Sequence, residues 1–148
     1  MPSPARRRRP ALVWIVFLWY VFSAGYTLLS FALIFAGRVP LSDEASRYLS
    51  SLSPLDYAVT LLALLLNVVG AVALLLLRGS APYLFSAALL LNIASVALHA
   101  LTKGLVAALG AGGPVGLTLG YGIAALVCLY AWRLYARGVL GVAPRYSS

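Results

Sequence analysis

Four apolar runs leave this chain little freedom in what it becomes. Residues 12–37, 57–77, 83–102 and 115–135 are each almost wholly hydrophobic, and about 20 such residues in a helix cross the hydrocarbon core of a bilayer. Only 9% of the 148 residues are charged, against about a quarter in ordinary soluble domains. The pattern predicts a single all-α integral membrane domain: a four-transmembrane-helix bundle over residues 1–148, whose main obligate partner is the lipid bilayer. The rest is a basic tail at 1–10, a loop at 38–56, short connections and a second tail at 138–148. The first run is about twice the 7–15 apolar residues of a signal peptide and is read as a permanent helix.

Charge sets the expected orientation. Arg6 to Arg9, Arg78, Arg133, Arg137 and Arg145 fall on one side of the four runs, and Arg38, Arg47 and Lys103 on the other. Eight positives against three place both termini in the cytoplasm. This distribution explains the net charge of +8 as topology anchoring, with no nucleic-acid partner. Asp43, Glu44 and Asp56 all fall on the outer side. Ten arginines to one lysine in an Ala/Leu-rich chain indicate GC-rich coding, and so the plasma (inner) membrane of a bacterium.

The loop at 38–56 carries its own signals. Ser42 before Asp43 and Glu44 reads as an N-cap with an acidic first turn. Ala45, Tyr48, Leu49 and Leu52 then recur at helical spacing, which predicts a short amphipathic helix on the outer surface. Ser53–Pro54–Leu55–Asp56 combines an N-cap serine, a first-turn proline and a carboxylate that reaches back to the cap. Residues 78–82 are a short turn, so the second and third membrane helices form an antiparallel hairpin. Glycines and Pro114 break the chain after Lys103, leaving open whether the third helix ends near Gly104 or near Leu109.

The string ALLLN occurs twice, ending at Asn67 and at Asn92. In the hairpin these asparagines are equidistant from the turn and share a depth near the bilayer centre. Thr60 shares a level with His99, and Asp56 with Lys103. Helical phase puts Asn92, Ser95, His99 and Lys103 on one face. The expectation is one polar seam of Asp56, Thr60, Asn67, Asn92, Ser95, His99 and Lys103 between the second and third helices, the two amides satisfying one another. On the fourth helix Gly116, Gly120 and Ala124 form a small-residue stripe for helix contact, within the bundle or with a homodimer mate or larger membrane partner.

Much chemistry is missing. The sequence has no glycine-rich phosphate loop and no HExxH. One histidine and one cysteine, Cys128, are too few for a typical zinc site or a haem held by two histidines. No catalytic residue, metal or cofactor is assigned. A non-enzymatic structural or accessory role is the leading expectation. Two alternatives stay open: a small-solute or proton-coupled transporter or sensor with an outward-facing cavity between the second and third helices, and an enzyme using His99 on a lipid or quinone.

Overall fold

The computed structural model describes residues 10–110 and 112–141; the basic stretch Arg6 to Arg9 and Arg145 lie outside them. The described chain is all-helical: α1 (Ala11–Phe35), α2 (Asp43–Ser50), α3 (Pro54–Leu75), α4 (Ala81–Thr102), α5 (Leu105–Leu109) and α6 (Gly113–Ala136). α1, α3, α4 and α6 are long and apolar enough to cross a membrane, and they form the four-helix membrane bundle.

Local chemistry sets the boundaries. Ser42 Oγ accepts from the Ala45 amide at 3.2 Å and starts α2. Ser53 and Asp56 form a complete capping box on α3, with Pro54 in its first turn. Gly104, at φ +66°, adopts the left-handed geometry that ends helices, so α4 stops at Thr102 and five residues re-form as α5. α3 ends differently. Leu77 takes φ +54°, Arg78 N–H reaches back to the Ala73 carbonyl at 2.8 Å, and the Leu77 carbonyl accepts from Gly141 N–H at 3.1 Å. The segment after α6 thereby ties down the α3–α4 turn.

α3 and α4 are the central antiparallel pair; α1 packs on α3 and α6 on α4, so α1 and α6 stand on different supports. Alanines and a glycine make the α3–α4 approach close: Ala63, Ala71 and Ala88 are buried, and a Cβ on Gly70 would sit 3.3 Å from the Phe85 ring. The buried apolar core gathers at the end of the bundle that holds the α3–α4 turn, around Val13, Val16, Leu74, Phe85, Cys128 and Leu134. Elsewhere large side chains point outward: Leu101 is 86% and Phe22 77% exposed. In water this would be an aggregation surface, whereas in lipid it is the surface the solvent wants.

α2 and α5 cap the other end, where they touch one another. The bundle therefore has a closed, largely apolar half at the α3–α4 turn and a more open half beneath the α2/α5 cap.

Candidate functional site

Four side chains from three helices converge under the cap. Asp56 sits in the first turn of α3, where the capping box fixes its backbone. One carboxylate oxygen, Oδ2, accepts from Ser53 N–H at 2.6 Å and Ser53 Oγ–H at 2.7 Å, and also from Lys103 Nζ. The other, Oδ1, lies 3.0 Å from His99 Nε2. His99 and Lys103 are four residues apart at the end of α4, on one face by helical geometry. The second ring nitrogen of His99, Nδ1, lies 3.0 Å from the hydroxyl of Tyr48 on α2.

A carboxylate accepts only, so Nε2 carries the hydrogen that goes to Asp56. In the neutral imidazole Nδ1 is then the acceptor for the Tyr48 hydroxyl. The side chains of His99, Asp56 and Lys103 are 8%, 13% and 19% exposed, so water screens these contacts far less than it would an exposed pair. Burial first, then the carboxylate of Asp56 and the phenol of Tyr57, push the Tyr48 hydroxyl above the ordinary tyrosine pKa. Every polar atom at the heart of the cluster has a partner inside the protein.

The predicted seam thus divides. Asp56 meets Lys103, its depth-matched partner, and His99 joins them at the other carboxylate oxygen rather than pairing with Thr60. Thr60 turns away: its hydroxyl donates to the Asp56 carbonyl of its own helix at 2.9 Å, and His99 takes Tyr48 in its place. Ser95 is half-buried and makes no side-chain hydrogen bond among the described residues. Asn67 and Asn92 do not bond one another. Asn92 Nδ2 donates to the Ala88 carbonyl one turn back at 2.9 Å, Tyr121 of α6 donates to the Asn92 carbonyl at 3.2 Å, and the Asn67 amide has no hydrogen-bond partner among the described residues.

Both asparagines instead line a cleft of about 810 Å³. It lies where α1 and α6 stand apart over the α3–α4 hairpin, not between α3 and α4, whose small residues close that interface. Trp19, Tyr20 and Tyr26 of α1 form one wall, Gly113, Gly116 and Gly120 of α6 the other, and Phe85 and Leu89 of α4 contribute to the hairpin side. Ala124 lines it too. A Cβ at Gly116 or Gly120 would meet nothing within 4 Å, so the small-residue stripe faces space in this chain. Among the described residues no helix of the bundle packs against it there: α1 packs on α3 instead.

The sequence does not mark Tyr48 or Tyr121 as a site residue. Tyr48 was visible as a polar-tipped ring on the apolar face of α2; Tyr121 carried no signal beyond being a tyrosine in a membrane helix. Among the described residues no group of three or more His, Cys, Asp or Glu side chains is placed to hold a metal ion. No protein-family model, curated protein or solved structure matches this chain.

Proposed function

We propose that this chain is a non-enzymatic integral protein of a bacterial plasma membrane, with both termini cytoplasmic, in a structural or accessory role. The observation that carries this reading is the closure of the Tyr48–His99–Asp56–Lys103 cluster. Both ring nitrogens of the sole histidine and both carboxylate oxygens of Asp56 are engaged by protein groups, leaving no position from which a general base would take a substrate proton. The same bonds join α2, α3 and α4, which is what a clamp does. A through-path for a solute finds no support either, since the half of the bundle at the α3–α4 turn is filled by apolar side chains.

The test compares membranes from cells overproducing the wild type and His99→Ala. This reading expects the same lipid and quinone composition in both. A compositional change that needs His99 would establish an enzyme in its place, and saturable solute uptake by proteoliposomes would establish a transporter. For orientation, in a Cys128→Ala background, a cysteine at Ser51 is expected to react with an impermeant maleimide on intact cells, and one at Arg137 is not. The reverse result would invert the topology.

A further inference from the structure

We infer that the cleft between α1 and α6 is a binding site for one membrane-soluble molecule with a flat ring that carries carbonyl or hydroxyl oxygens, a quinone-like lipophile. The inference goes beyond the role of the clamp, because His99 does not line the cleft.

Volume argues for a small molecule. About 810 Å³ lies within the usual range for ligand pockets of about 300–1,000 Å³.

The lining argues for a ring. Aromatic side chains of α1 face a strip of α6 where Gly116 and Gly120 carry no side chain and a Cβ would meet nothing within 4 Å. A flat slot of this kind favours a planar group stacked against aromatic faces.

The polar atoms argue for oxygens on that ring. Asn67 and Asn92 stand near the middle of helices of 22 residues each, at a depth where lipid offers no hydrogen bonds. The Asn67 amide is unpartnered among the described residues, and Asn92 uses only one of its side-chain N–H groups. A saturated acyl chain in the cleft would leave these donors unmet, whereas a carbonyl oxygen accepts from them and a hydroxyl can donate to the amide oxygens. The separation of α1 from α6 gives such a molecule a lateral way in from the bilayer, and its tail a way out.

The test uses full-length protein in nanodiscs with a short-chain alkyl benzoquinone as probe, read by quenching of tryptophan fluorescence, to which Trp19 in the wall of the cleft contributes. Saturable quenching is expected, absent from empty nanodiscs and reduced in Trp19→Phe. Gly120→Leu puts a side chain into the slot, its Cβ meeting nothing within 4 Å, and is expected to weaken binding by about tenfold or more. Asn67→Leu removes the unpartnered one of the two deep amides and is expected to weaken binding as well, while palmitate at equal concentration leaves the probe in place. Quenching that never saturates, or that survives both substitutions, would overturn the assignment. Displacement by palmitate would reduce the cleft to an acyl-chain groove, and a change of oligomeric mass in Gly120→Leu would give it to a second copy; either refutes the ring-binding inference.

Discussion

Replacing Tyr48 by phenylalanine removes one hydroxyl from the clamp and little else. The ring keeps its edge contact with His99, centroids 6.0 Å apart at 70°, but the 3.0 Å bond to Nδ1 is lost. A net hydrogen bond contributes about 0.5–1.5 kcal/mol, and leaving a buried partner unsatisfied costs about 1–3 kcal/mol. His99 is 6% exposed, so the second range applies. A loss of about 1 kcal/mol raises the population of undocked α2 about 5-fold, and about 3 kcal/mol raises it about 150-fold. α2 has eight residues, too few to hold a helix without tertiary support, so amide exchange in it reports docking. Hydrogen–deuterium exchange over residues 46–52 in nanodiscs is expected to accelerate by a factor between these limits, with residues 120–130 of α6 unchanged. Unaltered exchange in α2, or an equal rise in α6, would refute the view that this bond holds the cap.

Other expectations follow from the packing. Gly70→Leu drives a side chain into Phe85 and Leu84, which a Cβ alone would approach to 3.3–3.4 Å, and is expected to destabilise the bundle by about 1–3 kcal/mol in a detergent denaturation series; Gly120→Ala, whose added Cβ meets nothing within 4 Å, is expected to leave stability unchanged. The Tyr48 pKa is raised on folding from an unfolded value of 10.0, so its contribution to docking is complete below about pH 10 and is lost as pH climbs through the higher folded value. A spectrophotometric titration in which Tyr48→Phe removes a phenol ionising at or below the ordinary value would contradict this. Cys128, buried with Sγ 3.2 Å from Ser86 Oγ, is expected to stay unlabelled by a maleimide until the bundle is denatured.

What could be read from the residues alone follows the range of the interactions. The starts of α2 and α3 are written in Ser42 and in Ser53–Pro54–Asp56, because caps act within one turn. The meeting of Asp56 with Lys103 follows from counting outward from a short turn, since an antiparallel hairpin fixes depth. Rotation about the helix axis is another matter. It is set by which small residues let α3 and α4 close, and Ala63, Gly70 and Ala88 turn the asparagines toward the cleft rather than toward each other. The glycine stripe of α6 was legible as a surface without side chains, but not as the wall of a cleft, because that depends on α1 choosing α3 as its support. Tyr48 reaches His99 across 51 positions of sequence, a contact that exists only once α2 has folded back over α4.

The closure of the polar cluster is tested most directly at the imidazole itself. The chain has one histidine, so nitrogen-15 labelling of the ring in the nanodisc-embedded protein gives an unambiguous spectrum. A closed cluster gives a hydrogen fixed on Nε2 and bonded to the Asp56 carboxylate, slow exchange with water, and a partner at Nδ1 that disappears in Tyr48→Phe. An imidazole that interconverts rapidly between tautomers, exchanges freely with water and ignores Tyr48→Phe would mean that the cluster is open, and that His99 is available for chemistry after all.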